Sequence, residues 1–337
     1  MTIKDLAEKT GYAVGTVSRA LNGHPNVSEK ARQTILQAAQ ECGFELNINA
    51  KQLKQQHATS ILVVVKGTSN ELFSELVESV QKLMRSTRYP LYVDYLDEDA
   101  NEVLRAMQLC REKKPLGILF MGGNNSNFLS DFDKIQIPCL LLTNNASSLS
   151  FPNLSSVCVD DHQACRCAMD SLIALGHRRI VVVGGCRGSS EISRLRYEGC
   201  LESLRDHGID FDEELDYQGV RFSYDGGYQA TSQLLARGRK FTALFAECDV
   251  MAIGAIRALR DHGLRVPEDV SVMGYDGLPL GSYTVPKLST IAQPVQTLAQ
   301  RSVEILTACI EGAASRHETV PFTLFQQEST RRVDASF

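Results

Sequence analysis

A chain of 337 residues is too long for one typical domain and reads as two or three cooperating units. With 43% hydrophobic and 22% charged residues, and no apolar run near the roughly 18 residues needed to cross a bilayer, the composition is that of a soluble globular protein. The net charge of −5 is uneven: residues 1–57 hold seven Lys/Arg against five Asp/Glu, a surplus of +2, and the remainder carries −7, so a polyanion would meet the N-terminal piece.

The start, "MTIKDLAEKT", lacks the basic opening, apolar core and small-residue cleavage site of a secretory signal, which predicts a cytoplasmic chain. In "TIKDLAEKTG", Thr2 is a candidate N-cap with Asp5 as the reciprocal acid. Ile3, Leu6 and Ala7 share one face and Gly11 terminates this first helix. A second helix is expected from about Val14 to Leu21, with Val17, Ala20 and Leu21 inward and Gly15, Ser18, Arg19 and Asn22 outward. "NGHPN" breaks it. Ser28 caps a third helix in which Ile35, Ala38, Ala39 and Cys42 recur at helical spacing before Gly43. Two short helices joined by a tight turn, the second with a bare polar face, suit the major groove of DNA; patterning alone also allows an ordinary three-helix packing module.

The next stretch, "ELNINAKQLKQQHATS", is polar and amide-rich with an isolated Leu53, the composition of a linker. A helix this short is marginal in water and would persist only when held against a partner such as DNA.

From residue 60 onward, apolar runs alternate with helical stretches. The runs are "ILVVV", "PLYVDYL", "GILFMGG", "CLLLTN", "SSVCVD", "RIVVVGG", "TALFAE" and "VSVMGYD"; the stretches include "FSELVESVQKLMRS", "CAMDSLIALG" and "MAIGAIRALRDHG". This alternation predicts buried parallel strands with crossover helices, and about 270 residues suit two doubly wound α/β lobes. Ligands of such sheets bind beyond the carboxyl ends of the strands, and two facing lobes make a cleft that closes on a small molecule.

An enzyme would need a reactive group, and the candidates are weak. The ten cysteines lack metal-ligand or redox spacing, and Cys248 has no activating neighbour in sequence. "GGCRGSS" at 184–190 lacks the lysine of a P-loop and the spacing of a dinucleotide fingerprint, so it reads as a tight turn. Asp160-Asp161-His162 reads as a helix cap. No catalytic residue, metal or cofactor is expected.

One resemblance covers almost the whole chain. "TIKDLAEKTGYAVGTVSRALNG", followed by "VSEKARQTILQAAQECGF", resembles the DNA-binding head of the lactose-repressor family of bacterial transcription regulators. The hinge "NAKQL" and the segments "ALGHRRIVVVGG", "SRLRYEG" and "VSVMGYDG" continue it into the family's effector-binding core, itself similar to periplasmic sugar-binding proteins. The resemblance implies a small all-α helix-turn-helix head at 1–44 and a hinge at 45–59. It implies a first lobe at 60–158 and 287–318, and a second at 159–286 and 319–330.

By the same resemblance, Val14, Gly15 and Arg19 read bases, while Thr2, Thr16, Ser18 and Asn22 contact phosphates or dock the helix. In the hinge, Ala50 and Lys51 touch the backbone and Leu53 wedges into the minor groove, although Leu46 stands where the family usually has proline. Physical chemistry agrees on Arg19, since a guanidinium donates two hydrogen bonds to guanine; the plain alternative is a solvated surface arginine. Ala13 replaces the usual capping serine, which costs the second helix about 1 kcal/mol.

In the body, Arg196 and Asp276 match positions that hydrogen-bond the effector, Phe222 the stacking aromatic, and Phe73 an apolar wall. Met121, Thr143 and Cys248 stand where polar amides or carboxylates are frequent, with Asn144, Asn145 and Asp249 adjoining. The implied protein is a homodimeric repressor on near-palindromic operator DNA, controlled by a small, carbohydrate-like effector in the interlobe cleft. Corepression or activation is the alternative sign, and a transport-type binding protein or an enzyme the remote ones.

Overall fold

A computed structural model describes residues 3–21, 27–42, 59–67, 71–186 and 190–333. The chain divides into two units, residues 1–57 and 58–337.

The first unit contains α1 (Ile3–Thr10), α2 (Val14–Leu21) and α3 (Glu29–Glu41). They meet because each places small or branched apolar residues at helical spacing: Leu6, Ala7, Val17, Ala20, Ile35 and Ala39 form one buried cluster. Gly11 ends α1 with φ +71°, and the Ser28 side chain accepts a bond from the Ala31 N–H to cap α3. Ala13 opens α2 with its carbonyl alone, accepting from Val17 N–H at 3.1 Å, and offers no side-chain acceptor. The caps expected at Thr2 and Gly43 lie outside the described residues.

The second unit begins with β1 (Ile61–Lys66), α4 (Glu71–Met84), β2 (Leu91–Leu96), α5 (Glu102–Lys113), β3 (Gly117–Met121), α6 (Asn125–Asp131), β4 (Cys139–Leu142) and β5 (Leu154–Cys158). It continues with α7 (Asp161–Ala174), β6 (Ile180–Gly184), α8 (Glu191–Asp206), α9 (Glu213–Asp216), β7 (Tyr217–Gly219), α10 (Tyr224–Ala236), β8 (Ala243–Ala246), α11 (Asp249–Asp261) and β9 (Ser271–Asp276). The last elements are β10 (Ser289–Ala292), α12 (Val295–Ile310), β11 (His317–Thr319) and β12 (Thr323–Phe325). These build two six-stranded sheets, ordered β11-β5-β4-β3-β1-β2 and β12-β10-β9-β8-β6-β7. Every pairing is parallel except that of β12 with β10.

The chain crosses between lobes after β5, after β10 and after β11, which moves one expected boundary. Residues 287–292 do not belong to the first lobe: Ser289–Ala292 pairs with β9 and β12 in the second sheet, and the crossing falls at Gln293-Pro294. The polar look of "STIA" hides a core strand, because Ser289 N–H is satisfied by Ser329 Oγ and Thr290 Oγ1 by Asp249.

Glycine sets two helix contacts in the second lobe. A β-carbon on Gly199 of α8 would stand 2.1 Å from the His162 carbonyl oxygen of α7, and one on Gly254 of α11 2.1 Å from the Tyr224 carbonyl oxygen of α10. No described helix is long and apolar enough to cross a membrane.

Candidate functional site

In the head, burial of Val17 and Ala20 turns the opposite face of α2 to solvent. Val14, Gly15 and Arg19 are exposed there, and Thr16 and Ser18 are half-buried beside them. Arg19 lies along its own helix, its Nε donating to the Gly15 carbonyl at 3.1 Å. Thr2, Asn22, Ala50, Lys51 and Leu53 lie outside the described residues.

In the body, the carboxyl ends of the strands open on a cavity of about 470 Å³. The first lobe contributes Lys66 at the end of β1, Phe73 from the first turn of α4, Gly122 and Gly123 after β3, and Thr143 and Asn144 after β4. The second contributes Ser193 and Arg196 from α8, and Arg221 and Phe222 after β7; Gln293 enters at a crossing. Phe73 and Phe222 therefore wall the same cavity from opposite lobes. Phe73 is seated by the glycines around it, since a β-carbon on Gly122 would meet its ring at 3.0 Å.

Arg196 is the most heavily braced side chain of the wall. Its Nε donates to Asp161 Oδ1 at 2.8 Å, Nη1 donates to the Glu247 carbonyl, and the guanidinium stacks over the Tyr275 ring 3.8 Å from its centre. Tyr275 Oη donates to the same Asp161 oxygen at 2.8 Å. Burial opposes the charge on Arg196, and Asp161, Tyr275 and Asp276 together outweigh it, so the group stays cationic. The Glu247 carboxyl, accepting from Gly185 N–H at 3.0 Å, is pushed up to about 8 by burial.

Of the seven residues expected at the ligand, Phe73, Thr143, Arg196 and Phe222 line the cavity; Met121, Cys248 and Asp276 do not. Met121 is fully buried in β3, whose five residues are all core, and its successor Gly122 reaches the wall instead. Cys248 is sealed at the start of α11, where burial raises its thiol well above the usual range. Asp276 stands one layer back: it accepts from Gln293 Nε2 at 2.9 Å and lies 4.0 Å from Arg196 Nη2. Of the adjoining polar residues, Asn144 lines the wall, Asn145 is exposed outside it, and Asp249 is buried under Leu278 N–H and Thr290 Oγ1.

Several residues on the wall or directly behind it escaped the sequence reading. Asp160 does cap α7, accepting from Gln163 N–H, but Asp161 beside it is the Arg196 partner and no cap at all. Ser193 Oγ and Gln293 Oε1 are buried on the wall and have no hydrogen-bond partner among the described residues. Lys66 is held at 2.7 Å by buried Glu102, which also accepts from Asn124 N–H. Thr143, just after β4, and Asp276, the last residue of β9, have φ +76° and +116°, a conformation that L residues adopt only where surroundings enforce it. Among the described residues, no group of His, Cys, Asp and Glu is placed to hold a metal ion.

Comparisons with known proteins agree with this fold. The family model "Bacterial regulatory proteins, lacI family" matches residues 2–47, and "Periplasmic binding protein-like domain" matches residues 169–330. The HTH-type transcriptional regulator MalR of Clostridium butyricum is 32% identical over 340 residues, covering 98% of this chain and 99% of that protein. Two solved structures are similar over 98% of this chain and 99% of theirs, each at 26% identity and a TM-score of 0.72. They are the lac repressor dimer bound to operator and the anti-inducer ONPF, and a complex of the transcriptional regulator CelR with cellobiose.

Proposed function

The chain belongs to the lacI family of bacterial regulatory proteins and is a transcription regulator, not an enzyme, and on that premise we propose how it works. It represses as a homodimer that sets two heads on a near-palindromic operator, until a small carbohydrate-like effector in the interlobe cleft changes the lobe geometry and frees the DNA. Arg19 reads a guanine, Val14 and Gly15 pack on neighbouring base edges, and Thr2, Thr16, Ser18 and Asn22 meet phosphates. Ala50 and Lys51 follow the backbone at the hinge, and Leu53 wedges the minor groove.

The observation that carries the effector reading is the cavity itself. Two aromatic faces from opposite lobes, Phe73 and Phe222, share a wall with the unsatisfied buried atoms Ser193 Oγ and Gln293 Oε1. Apolar ring faces with a few fixed polar atoms are what a sugar ring, apolar across its faces and hydroxylated at its rim, requires. The CelR complex with cellobiose supports the same ligand class. The dimer is supported by Tyr283 and Val285, 81% and 85% exposed on one loop of the second lobe, and by the lac repressor dimer.

Selection of bound fragments from a random duplex pool, at fixed salt, tests the operator reading with the whole chain and with residues 58–337 alone. A palindromic motif enriched only by the whole chain is expected; no motif, or the same motif with the body alone, would overturn it. Thermal unfolding with a panel of mono- and disaccharides, ribose and cellobiose among them, tests the effector reading, which fails if none raises the midpoint.

A further inference from the structure

The four residues Arg221-Phe222-Ser223-Tyr224 run from β7 into α10 on the second lobe, and three of them face the first. Phe222 lines the cavity. Arg221, on one side of it, meets three consecutive carboxylates that follow β2: Nη2 lies 3.0 Å from Asp97 Oδ1, Nε lies 3.0 Å from Glu98 Oε1, and Nη2 also contacts Asp99. Tyr224, on the other side, donates from Oη to Glu71 Oε1 at 2.5 Å, at the start of α4. Arg221 and Tyr224 thus bridge the lobes on both flanks of Phe222, while Asp97, Glu71 and Tyr224 themselves stand outside the cavity wall.

We propose that Arg221 with Asp97, and Tyr224 with Glu71, form a two-point latch that holds the lobes closed and positions Phe222 over the effector. The inference rests on reading the cleft as the effector site, and it adds Asp97, Glu71 and Tyr224 as positioning residues outside the cavity wall, with Arg221 reaching them from the wall itself. The chemistry fits a latch and not a weld. Arg221 and Asp97 are each more than half exposed, at 54% and 59% of their side-chain surface, so their attraction is individually weak and screened by salt. Without Arg221 opposite, three adjacent carboxylates face one another across a short loop, which gives the guanidinium a standing reason to return. Closure is therefore reversible and biased, and the bias can be changed at Asp97, Glu71 or Tyr224, which stand outside the cavity wall.

Hydrogen–deuterium exchange on the full-length protein without ligand tests this directly. Asp97→Asn, on the first lobe, should raise exchange of amides 219–226 on the second lobe by about threefold, the size expected for losing one exposed pair. Tyr224→Phe should do the same to the first turn of α4. Arg221→Met, which takes the cation away from all three carboxylates, should raise exchange of amides 96–100 on the first lobe at least as much. Raising sodium chloride from about 0.05 to about 0.5 M should move wild type toward Asp97→Asn. Exchange changes confined to the lobe that carries each substitution would overturn the latch.

Calorimetry with ribose and cellobiose as probes supplies the second arm, in which Asp97→Asn weakens whichever sugar binds by about threefold and leaves its stoichiometry unchanged. If neither sugar binds while exchange changes cross the cleft, the latch stands and the carbohydrate reading falls. If a sugar binds every variant equally and exchange stays local, the latch falls and the carbohydrate reading stands.

Discussion

Arg196 is both the best-braced group in the cleft and the leading candidate ligand contact, and one set of substitutions separates the two roles. Its side chain and that of Asp161 are only 6% and 3% exposed, and they meet at 2.8 Å. Arg196→Met keeps much of the volume but strands the Asp161 carboxylate with one neutral donor, Tyr275 Oη. Breaking a buried pair this way costs about 3–5 kcal/mol, most of it the penalty of the unpaired charge. Asp161→Asn on the same background removes that charge, so the double variant should recover about 2 kcal/mol relative to the sum of the single losses. Urea unfolding of the four proteins at neutral pH measures the cycle. Additive losses, or a cost under about 1 kcal/mol for Arg196→Met, would refute the reasoning. The stabilised double variant then serves the second question. If it still fails to bind a sugar that wild type binds, Arg196 contacts the ligand; if binding returns, Arg196 only braces the wall.

Four further expectations follow from particular environments. Burial keeps the Glu247 carboxyl protonated up to about pH 8, against 4.5 for the free group, so folding stability is fullest at low pH and falls as pH rises from 4.5 to about 8; Glu247→Gln should flatten that limb in thermal unfolding, and an unchanged pH profile would contradict it. Buried His177 is pushed down to about 4 from 6.5, its Nε2 donating to the Arg331 carbonyl and its Nδ1 2.9 Å from Thr242 Oγ1. Stability should therefore fall as pH drops from 6.5 to about 4, and His177→Gln should remove that fall, seen in the same scans. Gly199→Ala drives a methyl into the His162 carbonyl, a backbone atom that cannot swing aside, and should cost about 2–3 kcal/mol by denaturant titration; a neutral result would mean that α7 and α8 are not this close. In sequencing of selected operators, Arg19→Ala should relax one base position in each half-site by about 1–3 kcal/mol, whereas Lys51→Ala weakens all sequences alike; equal losses everywhere would remove Arg19 from base reading.

How much of this was legible beforehand depended on where each residue finds its partners. The eight long apolar runs were recognisable as strands because a parallel strand covered on both faces needs no alternation, as in β1 and β3. Strands β7, β11 and β12 were not, since each has three residues and takes its pairing from distant chain. β10 was missed for the opposite reason: Ser289 and Thr290 look like loop residues until Ser329 and Asp249 satisfy them. The site divides the same way. Arg196 sits inside the local motif "SRLRYEG", so its position was legible, but Asp161 and Glu247 matter only because α7 and the end of β8 converge on Arg196.

The residues expected at the ligand that lie behind the wall show what a motif cannot specify. "GYDG" places Asp276 at a strand end, yet whether its carboxylate reaches the cavity depends on Gln293, which arrives from a crossing segment and stands in front of it. Gln293 also takes the Asp276 carbonyl with its own N–H at 2.9 Å, and the chain passes from it directly into α12 of the first lobe. A ligand bonded to Gln293 Oε1 therefore acts on one of the three strands of chain that join the lobes. With the proposed latch at Arg221 and Tyr224, the crossing at Gln293 would give an effector purchase on lobe orientation from two places along the cavity. A ligand shifts an equilibrium between lobe arrangements only through differential contacts such as these, so the Gln293 crossing and the latch are where the proposed regulation is to be sought.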